Sequence, residues 1–163
     1  MEHVICPLSI VPVRKDPSDR AEMVTQWLFG ETAEVLERQE NWSHLRFDHD
    51  GYEGWVDNKQ LALCETPNFD PDQRVIDLSS IVDLGDRQVL LPYGAVLPFY
   101  ADGSILFLGQ RVPVNAVTSH GHSGERMELI ETFMHPFLGA PTSGVVARPA
   151  VWIAAGLPRC SSC

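Results

Sequence analysis

The chain has 163 residues, 12 basic against 22 acidic side chains, a net charge of −10 and 44% hydrophobic residues. That hydrophobic share excludes a disordered chain, and the acidic balance excludes the basic stripe of a nucleic-acid binder. No apolar run approaches the roughly 18–20 residues of a bilayer span, and the length suits one or two small domains.

The N-terminus, MEHVICPLSIVPVRKD, has no basic start and no long apolar core, so a secretory signal is not expected and the cytoplasm is the expected compartment. Residues 1–66 then read as short strands between polar turns. Val4 to Cys6 and Ile10 to Val13 are apolar and β-rich, with Pro7 and Pro12 forbidding helix. Met23 to Leu28, Ala33 to Glu37, Trp42 to Phe47 and Tyr52 to Val56 follow. Glycine, asparagine and aspartate in Gly30-Glu31, Glu40-Asn41 and Asp48-His49-Asp50-Gly51 mark the turns. Short strands at about 8–12-residue spacing predict a small barrel or sandwich.

Residues 67–74 are rich in Pro, Asn and Asp and read as a linker. A second β segment over 75–122 is expected from Gln88 to Pro92, Val96 to Phe99, Ile105 to Leu108 and Arg111 to Val114, with Asp102-Gly103 as a hairpin turn. At Ser123 the period changes. Ser123 can cap a helix, Glu125 suits its positive end, and Met127, Ile130, Phe133, Met134 and Phe137 recur at helical spacing until Pro136 ends or kinks it. Residues 140–163 follow neither period and hold two arginines and no acid.

Cys6 and Cys64 lie in apolar surroundings and read as buried free thiols. Cys160 and Cys163 form a C-x-x-C that lacks the helix start or second ligand pair of a redox or zinc site. His120, His122 and His135 lack partner carboxylates and read as loop histidines, so neither metal nor cofactor is expected. Trp27, Trp42 and Trp55 read as core or barrel rim. A proline-rich-peptide groove would need an acidic–aromatic cluster, for which only Asp48, Asp50 and Tyr52 are at hand.

Phe29-Gly30-Glu31, Val35-Leu36-Glu37, Trp42 with Arg46, and Gly51-x-x-Gly54-Trp55-Val56 together resemble a bacterial SH3-like domain. Followed by a second β segment and a helix reading Met-Glu-Leu-Ile-Glu-Thr-Phe-Met, they resemble the N-terminal part of NlpC-type cysteine peptidases. The resemblance implies a mainly β chain, with two small SH3-like barrels in tandem (1–66 and a degenerate 75–122). The first helix of an α+β papain-like catalytic domain would follow at 123–139. It implies hydrolysis of γ-D-glutamyl-diamino acid bonds in murein peptides, by a cysteine nucleophile and a downstream histidine base. A binding module of two SH3-like barrels without chemistry is the alternative.

In the family a Pro-Tyr-Leu-Trp-Gly-Gly-Arg segment and Asp-Cys-Ser-Gly follow that helix, but here the pattern stops at Gly139-Ala140-Pro141. In a shifted frame, each codon takes the third base of one residue and the first two of the next. Pro141-Thr142 then permits Tyr, and Thr142 through Ala147 permit Leu-Trp-Gly-Gly-Arg. Trp152-Ile153 forces Asp, and Ile153 through Gly156 permit Cys-Ser-Gly. A frameshift near Ala140-Pro141 is therefore expected, with 140–163 an out-of-frame, poorly ordered tail and this chain inactive for want of its catalytic Cys and His.

The resemblance also implies a ligand site, in which a carboxylate and a tyrosine of the first SH3-like domain hold the free N-terminal L-Ala of a murein peptide. The matching residues are Glu22, in Arg20-Ala21-Glu22-Met23, and Tyr52, in Tyr52-Glu53-Gly54-Trp55. A carboxylate suits an ammonium group through a charge-assisted bond, and a phenol adds a directed one.

Overall fold

A computed structural model describes residues 2–65, 73–77 and 80–120. The helix expected at 123–139, the out-of-frame tail, Cys160, Cys163, His122 and His135 lie outside the described residues.

Seven strands come first: β1 (His3–Ile5), β2 (Ile10–Arg14), β3 (Met23–Leu28), β4 (Thr32–Arg38), β5 (Trp42–Phe47), β6 (Glu53–Asp57) and β7 (Ala62–Leu63). They form one sheet in the order β3-β2-β6-β5-β4-β1-β7, and every pairing is antiparallel. A single 3-10 turn (Asn58–Gln60), capped by Asp57 accepting from the Lys59 N–H at 2.9 Å, leads from β6 to β7. The alternation visible in Trp42 to Phe47 sends Ser43, Leu45 and Phe47 inward and leaves Trp42, His44 and Arg46 on the outer face. The curled sheet encloses Val4, Cys6, Val11, Val13, Trp27, Leu45, Phe47 and Val56.

Curling brings β2 across β6, and Gly54 is the residue that permits it. A Cβ there would lie 2.4 Å from Val13 Cγ1 and 3.2 Å from the Arg14 carbonyl oxygen, too close for any other side chain. The tryptophans divide as core and rim. Trp27 is fully buried against Phe47, at 5.7 Å between rings, while Trp42 and Trp55 are half-buried outside.

The second region is built differently. Six short strands, β8 (Gln73–Val75), β9 (Ile81–Asp83), β10 (Gln88–Leu90), β11 (Ser104–Phe107), β12 (Gln110–Pro113) and β13 (Thr118–His120), form three separate antiparallel pairs: β8 with β13, β9 with β10, β11 with β12. A single bridge from Val82 to Val114 ties β9 to the end of β12, and another joins Arg74 of β8 to Val96. Asp102-Gly103 is the expected tight turn: φ is +50° and +71°, and Ala101 and Ser104 exchange two 2.9 Å backbone bonds.

Three expectations are corrected. Val96 to Phe99 is not a strand: Val96 makes one bridge, Pro98 has no N–H to offer, and Phe99 sits at φ +49°. Leu108 leaves β11 for the turn into β12, at φ +47° ahead of Gly109 at +78°. Gln73 and Arg74, read as linker, are buried strand.

The second core gathers Val75, Val82, Val89, Leu91, Leu97, Ile105, Phe107, Val112 and Val114, and it also contains Ile5 and Phe29 from the first region. Phe29 stacks on Phe107 at 4.8 Å and 21°. Beside it the Phe29 carbonyl accepts from the Val96 N–H at 2.9 Å. Gly30, at φ +78°, lies so close that a Cβ would be 2.0 Å from the Val96 carbonyl oxygen. The two regions therefore share a seam to which Ile5, the Phe29 ring, the close-packed Gly30 and a backbone bond all contribute.

Candidate functional site

Glu22 closes the long turn between β2 and β3. Its carbonyl accepts from the Lys15 N–H at 3.0 Å, and the Arg14 guanidinium donates to the Ala21 carbonyl at 3.0 Å. The turn is thus held by backbone bonds while the Glu22 carboxylate stays exposed.

Tyr52 ends the turn between β5 and β6. The Tyr52 N–H donates to Asp50 Oδ1 at 3.0 Å, its carbonyl accepts from the Phe47 N–H at 2.9 Å, and Gly51 takes the φ of +69° that this turn requires. The ring is half-buried and packs on the first core with Val24.

Strand register relates the two residues. Arg14 pairs with Trp55, so β2 ends where antiparallel β6 begins, and the two turns lie at the same end of the sheet. Glu22 and Tyr52 thus stand on the two turns that lie on either side of β2.

The outer face of β5 and β6 carries a second feature. His44 stacks on Trp55 at 5.0 Å and 25°, and its Nε2 lies 4.0 Å from Glu53 Oε2. Across the next rung, Arg46 pairs with Glu34.

Of the two cysteines expected to be buried free thiols, Cys64 is only half-buried. Cys6 is fully buried; its thiol donates to the Leu8 carbonyl at 3.2 Å, and burial drives its pKa far up, away from the thiolate. Among the described residues, no group of three or more His, Cys, Asp and Glu side chains is placed to hold a metal ion, and no helix is long and apolar enough to cross a membrane.

One buried polar group lacked any signal in the sequence. Glu31, after Gly30, accepts from the Leu28 N–H at 3.1 Å through Oε2, and its Oε1 lies 3.5 Å from Arg74 Nη1. At that distance the contact is an ion pair, and Oε1 has no hydrogen-bond partner. The side chains are only 4% and 8% exposed. Nothing local in Gln73-Arg74-Val75 announces a buried cation, because its partner lies on the other side of the seam.

Residues 13–61 match the family model of the bacterial dipeptidyl-peptidase Sh3 domain. Glu22, Tyr52, Gly54 and Trp55 all fall inside that match. An NlpC/P60 family protein from Bacillus cereus is similar in fold, with a TM-score of 0.62 at 13% identity, over 80% of this chain and 62% of that one. NlpC2 from Trichomonas vaginalis aligns over 91% of this chain and 61% of its own at 11% identity, but a TM-score of 0.34 carries no statement about fold. No curated protein matches the sequence. The family model supports the SH3-like domain read from the residues, and the Bacillus protein shares the fold. The chain spans less than two thirds of the length of either solved protein.

Proposed function

We propose that this chain is the recognition part of a cell-wall-peptide cysteine endopeptidase acting on γ-D-glutamyl-diamino acid bonds, and that Glu22 and Tyr52 bind the free L-Ala amine of a murein peptide. The observation that carries this reading is the register: an exposed carboxylate and a half-buried phenol stand on neighbouring turns at one end of a sheet that matches a peptidase-associated Sh3 domain. The carboxylate supplies a charge-assisted bond to the ammonium group, and the tyrosine supplies direction. In this reading the protein works in the cytoplasm on imported wall peptides, and this chain binds them without cleaving them. The nucleophile in this reading is the Cys that the displaced frame permits at Ile153-Ala154.

A module that binds without any associated chemistry is the second reading. Two measurements separate them. The nucleotide sequence around Trp152 must permit Cys-Ser-Gly in the shifted frame; codons that do not permit it remove the frameshift. Incubation of this chain with L-Ala-γ-D-Glu-diaminopimelate should release no product, whereas a frame-restored enzyme should cleave it with a KM raised by Glu22→Ala. An unchanged KM removes Glu22 from the site.

A further inference from the structure

A cation of the second region, Arg74, reaches the turn that carries Tyr52. Arg74, on β8, donates from Nη1 to the Gly94 carbonyl at 2.9 Å, and the same nitrogen faces Glu31 across 3.5 Å. Its Nη2 lies 3.4 Å from Nδ1 of His49, inside the β5–β6 turn. A guanidinium cannot shed its charge on burial, so a side chain 8% exposed needs acceptors on every side it presents. Its partners come from three separate segments: the Gly94 carbonyl of its own region, the Glu31 carboxylate of the β3–β4 turn as an ion pair, and His49 of the β5–β6 turn. The guanidinium is planar and rigid, so fixing one segment against it constrains the other two.

We infer that Arg74 is a positioning residue for the ligand site: through His49 it holds the β5–β6 turn, and with it Tyr52, in register with the second region. This rests on the reading of Tyr52 as a ligand residue. The hand-off within the turn is short. His49 lies between Asp48, whose N–H donates to the Thr32 carbonyl at 3.1 Å, and Asp50, whose carboxylate holds the Tyr52 N–H. Lysine at position 74 would keep a positive charge beside Glu31 but lose the fork that spans the Gly94 carbonyl and His49 at once. A purely structural role for Arg74 would lower stability and loosen the turn together. A positioning role separates the two.

The test uses the full chain with Arg74→Lys, His49→Ala and the double variant. It reads amide hydrogen exchange at Gly51 and Tyr52, thermal melting, and the Kd for L-Ala-γ-D-Glu-diaminopimelate. Arg74→Lys is expected to melt near the wild type while Gly51 and Tyr52 exchange roughly tenfold faster and the peptide binds several-fold more weakly. His49→Ala, at an exposed position that does not threaten folding, should loosen the same two amides, and the double variant should add nothing to either single change. Wild-type exchange at Gly51 and Tyr52 in either single variant, or additive effects in the double, overturns the inference. A wild type that fails to bind the peptide overturns the ligand reading alone, while the exchange results still decide whether Arg74 governs the turn.

Discussion

The two regions hold themselves together by different means. Residues 3–63 form one seven-stranded sheet, so each internal strand is tied on both edges by backbone bonds, and the core lies within its curl. Among the described residues of 73–120 there are three two-stranded pairs, which no continuous ladder joins. An isolated pair of short strands is marginal in water, so the second region depends on its side-chain core, and that core includes Ile5 and Phe29 from the first. The first region has its own core of buried residues. The second is completed by its neighbour, which ties the orientation of the Glu22–Tyr52 end to the whole molecule.

The sharpest way to break this asymmetry is at Gly30. Gly30→Ala puts a methyl group 2.0 Å from the Val96 carbonyl oxygen at φ +78°, and should destabilise the chain by about 3–5 kcal/mol from strain and overpacking together. A urea titration followed by fluorescence measures it; a loss below about 1 kcal/mol would mean that the seam opens without cost. Phe29→Ala should cost about 3–4 kcal/mol, the lower end for a buried phenylalanine whose cavity partly collapses. Hydrogen exchange should show the loss mainly at Val82, Val89, Ile105 and Val112, with β5 and β6 nearly unchanged. Uniform loss across both regions would contradict separate sources of cohesion.

Glu31→Gln strands the Arg74 cation in a buried site, and should cost about 3 kcal/mol in the same titration. Smaller in energy but sharp in readout is Cys6. Because burial raises its thiol pKa, it should stay unlabelled by maleimide in the folded chain at neutral pH and react fully in guanidinium, as read by peptide mass spectrometry. Raising the pH does not expose it, since the folded state disfavours the thiolate: the unfolded thiol ionises first, so alkaline pH above its ordinary range lowers stability instead. Labelling of native Cys6 at neutral pH would show that the first core opens freely.

Much of the first region was legible because its strands are one-sided. In Trp42 to Phe47 alternate residues face core and solvent, and the Asp48-His49-Asp50-Gly51 turn carries the chemistry that its conformation needs. The second region was less so. Val96 to Pro98 is apolar because it is buried rather than because it is strand, and Pro98 and the exposed, left-handed Phe99 break the ladder that apolarity suggests. Gln73 and Arg74 are polar and follow a Pro- and Asp-rich stretch, yet both are buried, since their partners lie far along the chain. Phe29 was readable as part of a family motif, but its destination in the other core was not. Glu22 and Tyr52 entered through the resemblance; their place at one end of the sheet comes from the pairing of Arg14 with Trp55, which no local pattern encodes.

Calorimetric titration of the chain with L-Ala-γ-D-Glu-diaminopimelate, beside its N-acetylated counterpart and the Glu22→Ala variant, tests the proposed recognition most directly. Binding by the free-amine peptide, weakened roughly 10–100-fold by either change, is the predicted result, the size of one charge-assisted bond. Equal affinity for the free and acetylated peptides would contradict it.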